Sequence, residues 1–250
     1  MIASSGHGWG LAVFPLGAAA IAAVFGAMLL VRFLRKRRTY EGIWSLALFM
    51  FAAASFATFL GVVDGWTATD FRLYWLLGAV LNVPFLFEGE LYLLARGRTW
   101  VNATLVVLAG ASVYAGVKVW GAPIHPAPLA GSLPLGKEVF GDHSLPYRLS
   151  QFYAFPAYFL LLGGLLWSAW QMRGQPHLRN RTGGTLGIAM GATIVAIASG
   201  VGAGFHVVAL FSTGLAAGIA VMFWGFVVAA RPSAAARKDE QAHATAPSGS

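Results

Sequence analysis

Residues 71–94 read FRLYWLLGAVLNVPFLFEGELYLL, a stretch long enough to cross a bilayer as one helix. An α-helix rises about 1.5 Å per residue, and the hydrocarbon layer is about 30 Å thick. The stretch also carries Asn82, Pro84, Glu88 and Glu90 where apolar side chains are expected. A carboxylate at that depth costs about 3 kcal/mol on insertion scales, so it normally faces the protein interior. The pattern indicates a membrane helix with an internal polar site.

The composition of the whole chain supports a lipid environment. Of its 250 residues, 58% are hydrophobic and 10% are charged, whereas soluble domains have about 25% charged residues. The net charge of +8 comes from residues at the ends of apolar runs, which is typical of topology signals and argues against nucleic-acid binding. The chain has no cysteine, which excludes disulfides and thiolate chemistry.

Apolar runs of about 20 residues predict seven membrane spans in an all-α bundle that occupies residues 1–231. The spans are predicted at about 10–32, 43–63, 71–94, 100–120, 149–170, 185–203 and 207–230. Residues 121–148 contain five prolines and are expected to form an extended flap over the outer mouth of the bundle. Residues 232–250 are rich in Ala, Ser and Pro and are expected to be a disordered tail.

Basic residues predict the orientation of the bundle. With seven spans, 13 of the 17 Lys and Arg residues fall on the side that carries the C-terminus. The positive-inside rule therefore predicts an outside N-terminus, a cytoplasmic C-terminus and a location in the bacterial inner membrane. The cluster Arg35–Arg38 is expected to contact anionic lipid.

An offset of 141 residues aligns parts of the two halves. Phe14-Pro15 then matches Phe155-Pro156, and Gly61 matches Gly202. This pattern predicts a parallel repeat of three plus one plus three helices. The alternative is that apolar sequences share composition and that arginines recur at cytoplasmic ends.

The third span offers the main candidate site. Pro84 cannot donate a backbone hydrogen bond, so a kink is expected, and Asn82 could satisfy part of the freed backbone. Helical spacing places Glu88 and Tyr92 on one face with Tyr74 nearby, and it places Glu90 about 200° away. Glu88 either holds a proton or cation, or bonds to a neighbouring helix. Glu90 either serves the site or extends to the interface near Arg96 or Arg98.

Two further groups of residues have weaker signals. Two GxxxG steps predict close helix packing, formed by Gly187 with Gly191 and by Gly200 with Gly204. Three histidines are candidate metal ligands, but their spacing matches no metal-binding pattern, so we expect neither a metal nor a cofactor: His125, His143 and His206.

The sequence RLYWLLGAVLNVPFLFEGELYLL, together with SLPLGKEVFG in the long loop, resembles an uncharacterised family of multi-pass membrane proteins common in actinobacteria. The resemblance covers most of the chain up to about Arg231. It implies an integral membrane fold and implies no particular activity.

The sequence is compatible with three classes of function. The first hypothesis is small-molecule or ion binding or transport, through a pocket walled by helix 3 and capped by the proline-rich loop. The second is a non-catalytic accessory or scaffold subunit of a membrane complex, with a partner protein or a second copy. A quinone or haem redox protein is a weaker third. No catalytic motif is present, so an enzyme is not expected.

Overall fold

The computed structural model describes residues 5–95, 98–202, 204–205 and 207–231, without the side chains of residues 5–9 and 98. Within this part of the chain, seven helices are long and apolar enough to span a membrane. They are α1 (Ser5–Lys36), α2 (Thr39–Val63), α3 (Ala68–Leu94), α4 (Arg98–Gly121), α5 (Leu145–Met172), α6 (Pro176–Gly202) and α7 (Val208–Ala230). The seven predicted spans are thereby confirmed. The tail 232–250 lies outside the described residues.

Six of the helices form a ring in the order α1, α2, α3, α5, α6, α7. Helix α4 packs outside this ring against α3 and α5, and it is the least buried of the seven. Because consecutive helices alternate in direction, the α1–α2, α3–α4 and α5–α6 turns lie at one end of the bundle, which we call the arginine end. The α2–α3, α4–α5 and α6–α7 connections lie at the other, the loop end.

Helix α3 contains the main irregularity of the fold. Its first part is a short α-helix, Ala68–Leu73, and its last part is an α-helix, Asn82–Leu94. Between them Tyr74–Leu81 is π-helical, so its hydrogen bonds close over five residues instead of four. The segment includes Val80, whose carbonyl the Pro84 ring would meet in a regular α-helix. The predicted break at Pro84 therefore takes the form of wider turns before the proline.

Helices α6 and α7 pack closely because both present glycines. A Cβ added at Gly191 would lie 2.5 Å from the Gly218 backbone oxygen, and one added at Gly187 would lie 3.0 Å from Gly225 Cα. These two predicted packing glycines thus serve contacts within the chain. In contrast, no heavy atom of the described residues lies within 4 Å of a Cβ added at Gly200 or Gly204, so close packing at these two glycines stays a prediction.

The proline-rich connection folds onto the loop end of the bundle. It contains a 3-10 turn, Ala127–Ala130, and a one-turn helix, Gly136–Val139. Trp66 Nε1 donates to the Ser132 carbonyl at 3.3 Å, and Arg72 Nη2 donates to the Ala122 carbonyl at 2.7 Å. Four apolar side chains of the connection are buried: Leu133, Leu135, Val139 and Phe140. The connection is therefore a packed cap on α3 and the turn before it rather than an extended flap.

Candidate functional site

A cavity of about 440 Å³ occupies the loop-end half of the helix ring. It lies between α2, α3, α5, α6 and α7, and its size falls in the range of small-molecule pockets, about 300–1,000 Å³. Two π-helical segments contribute to its wall: Tyr74–Leu81 through Tyr74, Gly78 and Ala79, and Ala198–Gly202 through Ser199 and Gly200. π-Helical turns often occur at functional sites. This cavity is the strongest candidate site in the described chain.

Aromatic and aliphatic side chains line the two ends of the cavity. At the loop end, the rings of Tyr74 and Phe211 meet edge to face with centroids 6.1 Å apart, and they join α3 to α7. Toward the arginine end, Leu48, Leu86 and Met222 separate it from a smaller apolar cavity of about 30 Å³. No residue of the proline-rich connection lines the larger cavity. The prediction that this connection caps the pocket is therefore wrong.

The cavity opens sideways between α5 and α6. Its lining includes Phe155 and Phe159 of α5, which are 60% and 65% exposed, and Ile197 of α6, which is 56% exposed. The two helices are linked by a hydrogen bond from Tyr158 Oη to Thr193 Oγ1 at 3.1 Å. Because this surface is apolar and lies within the membrane-spanning region, the opening faces lipid.

The wall opposite this opening carries uncharged polar groups from α2 and α3. Asn82 Nδ2 donates to the Ala47 carbonyl at 2.7 Å, so its amide ties α3 to α2, in place of the predicted bond to the backbone freed by Pro84. Thr58 Oγ1 donates to the Ala54 carbonyl at 3.0 Å. Tyr74 Oη, Ser55 Oγ and Asn82 Oδ1 make no hydrogen bond to any described residue. No charged side chain of the described residues lines the cavity.

Tyr74 and Glu88 do not share a face of α3, contrary to the α-helical spacing. Tyr74 lines the cavity, whereas Glu88 is 3% exposed and contacts α4. The physical reason is the π-helical segment between them, which turns less per residue than an α-helix. Over eight residues this difference rotates the start of the helix by roughly a third of a turn.

Glu88 and Tyr92 connect α3 to the peripheral helix α4. Thr104 Oγ1 donates to Glu88 Oε1 at 2.9 Å, and Tyr92 Oη donates to Asn102 Oδ1 at 2.5 Å. Glu88 is absent from the lining of the large cavity. Of the two expectations for Glu88, the geometry favours the bond to a neighbouring helix.

Glu90 points toward α5 and is completely buried. Ser168 Oγ donates to Glu90 Oε1 at 3.2 Å, and Glu90 Oε2 has no hydrogen-bond partner among the described residues. Glu90 therefore does not extend to the interface. As the spacing of the two acids predicts, Glu88 and Glu90 face different helices.

Glu41 is a third buried acid, which the sequence reasoning missed. It lies in the first turn of α2, is fully buried and accepts a hydrogen bond from Arg32 Nε at 3.0 Å. The sequence does contain a signal for this ion pair, since two opposite charges nine residues apart flank a short turn between two apolar runs.

The candidate metal ligands are not gathered in the described structure. His125 Nδ1 contacts the Val139 carbonyl at 3.1 Å, and His143 is exposed, while His206 lies outside the described residues. No group of three potential ligands that could hold a metal occurs among the residues searched.

No protein-family model matches the chain, and no curated protein or solved structure matches it either. The assignment of a function therefore depends on the geometry of the cavity.

Proposed function

We propose that the protein binds an uncharged small molecule in the membrane, in the cavity beside the π-helical segment of α3. The observation that supports this proposal is the cavity of about 440 Å³, which reaches the lipid-facing surface between α5 and α6. Its wall combines apolar side chains with a few convergent polar groups, as ligand pockets usually do. Transport of the bound molecule is a second step that the same cavity could serve.

The lining favours a neutral molecule over an ion. A charged ligand in a low-dielectric site needs a counter-charge or several strong hydrogen bonds, and the lining includes no charged side chain of the described residues. Glu88 and Glu90, the two acids of α3, contact α4 and α5 and are absent from the cavity lining.

Mass spectrometry of the purified protein tests the proposal. Protein extracted in mild detergent should retain a small molecule in a fixed ratio, and Ala196→Trp should remove it, because Ala196 lines the cavity. Val113→Trp is the matched control, since Val113 lies on α4 and is 70% exposed. Equal retention by both variants would refute the proposed site.

An accessory role in a membrane complex is the second candidate. One observation favours it: α4 packs weakly on the ring and exposes an apolar face that includes Val106, Val107 and Val117. A partner protein or a second copy would cover that face. Co-purification in several mild detergents would decide, and a lone monomer in all of them would count against this role.

We also propose the setting in which the protein works. Positive-inside topology supports the bacterial inner membrane, with the loop end outside and the arginine end in the cytoplasm. The exposed basic residues at 35–38 suit anionic headgroups. Kinship with the actinobacterial membrane family and the 141-residue repeat remain part of this proposal.

A further inference from the structure

We infer that the ligand is an uncharged, long-chain amphiphile that reaches the cavity sideways from the bilayer, with its hydrogen-bonding end against α2 and α3 and its chain directed between α5 and α6. This inference rests on the proposed function and adds the ligand class, its orientation and its route of access.

The polarity of the cavity changes from one side to the other. On the α2–α3 side, Tyr74 Oη and Ser55 Oγ can donate, and Asn82 Oδ1 can accept. Ser55 is only 2% exposed, and it lines the cavity with no hydrogen-bond partner for its hydroxyl among the described residues. A ligand hydroxyl or carbonyl can pair with it, and such a hydrogen bond contributes about 0.5–1.5 kcal/mol.

The opposite side of the cavity is mostly apolar. Its polar lining residues are Ser199 and two residues whose hydroxyls already have partners, Ser150 with the Tyr147 carbonyl and Tyr158 with Thr193 Oγ1. Phe155 and Phe159 are one helical turn apart on α5, and Ile197 faces them from α6. A hydrocarbon chain can lie between these side chains without losing contact with lipid. An amphiphile with one polar end therefore matches the gradient, whereas a molecule that is polar throughout would leave groups unpaired at the opening.

The lining of the cavity also favours lateral access. The Tyr74–Phe211 contact joins α3 and α7 at the loop end, and leucine and methionine side chains line the arginine end. Exposed apolar lining residues mark the gap between α5 and α6, where lipid molecules meet the cavity directly. A lipid-soluble molecule consequently needs no aqueous path.

Photolabelling in vesicles tests the inference. Three diazirine probes of equal chain length are compared: a long-chain alcohol, the corresponding alkane and the corresponding carboxylate. The alcohol should label peptides of α5 and α6 saturably, and excess unlabelled alcohol should compete. Removing the donors with Tyr74→Phe and Ser55→Ala, singly and together, should weaken the saturable labelling by up to roughly tenfold for the pair.

Controls separate this inference from the proposed function. Tyr114→Phe removes a hydroxyl from the exposed side of α4, and it should change nothing. Equal labelling by alcohol and alkane, unaffected by Tyr74→Phe, would overturn the inference and leave the binding cavity in place. Stronger labelling by the carboxylate would overturn the uncharged class. Absence of saturable labelling by all three probes would remove the proposed function as well.

Discussion

Arg32 of α1 and Glu41 of α2 form an ion pair at the arginine end, with Arg32 Nε 3.0 Å from Glu41 Oε1. The Glu41 side chain is 1% exposed and the Arg32 side chain 33%, and the guanidinium lies over the Phe226 ring of α7, 5.0 Å from its centroid. One arginine thus holds three helices together where α1, α2 and α7 meet.

Removal of the Arg32 guanidinium should destabilise the bundle. Arg32→Met leaves the Glu41 carboxylate buried without its partner, and we expect a loss of about 2 kcal/mol, below the usual cost for a fully buried pair because Arg32 is partly exposed. The measurement is the thermal unfolding midpoint in detergent.

Two further variants test whether the effect of Arg32→Met comes from the ion pair with Glu41. Arg35→Met removes an exposed arginine one turn away and should leave the midpoint unchanged. The double variant Arg32→Met with Glu41→Met should recover most of the loss, since no unpaired charge remains. Equal midpoints for Arg32→Met and Arg35→Met would show that the pair does not stabilise the bundle.

Bulk at the α6–α7 contact should separate these helices. Gly191→Val places its Cβ against the Gly218 backbone oxygen and Met222, and backbone atoms cannot move aside as a flexible side chain can. Overpacking of this kind costs about 1–3 kcal/mol. The measurement is again the thermal unfolding midpoint in detergent. Gly183→Val on the same helix meets no heavy atom of the described residues within 4 Å, so a drop of the same size there would contradict the packing explanation.

The proline-rich connection can pack against α3 only because Gly136 has no side chain. A Cβ at Gly136 would overlap the Trp75 ring, so Gly136→Ala should lift the connection from α3. Trypsin should then cut several-fold faster after the exposed Lys137, because local opening governs cleavage. Gly121→Ala has free space among the described residues, and its cleavage rate should match that of the unmodified protein.

The orientation of the bundle can be tested by labelling, since the chain has no cysteine of its own. In intact cells, a membrane-impermeant maleimide should label His143→Cys at the loop end and should reach Lys36→Cys only after permeabilisation. Both positions are exposed. The reverse pattern would invert the proposed topology.

The sequence predicts the helices well because each span is a continuous apolar run whose length the bilayer dictates. It does not predict the π-helical turns of Tyr74–Leu81, since composition does not specify whether a backbone N–H donates to the carbonyl four or five residues before it. That one local change moves Tyr74 away from Glu88 and into the cavity. The position of the proline-rich connection was also inaccessible, because it depends on Trp66, Arg72 and Trp75 meeting loop carbonyls and glycines that are distant in sequence.

Trp75 lies between the cap formed by the proline-rich connection and the cavity. Its indole Nε1 donates to the Pro146 carbonyl at 3.0 Å, and its ring rests on Gly136, while the preceding residue, Tyr74, faces the cavity. A molecule that binds in the cavity and displaces Tyr74 would also displace the neighbouring indole, and so would a partner that binds to the cap formed by the proline-rich connection. Trp75 is one of nine tryptophans, and its position next to both the cavity lining and the cap means that its fluorescence emission should respond to either event.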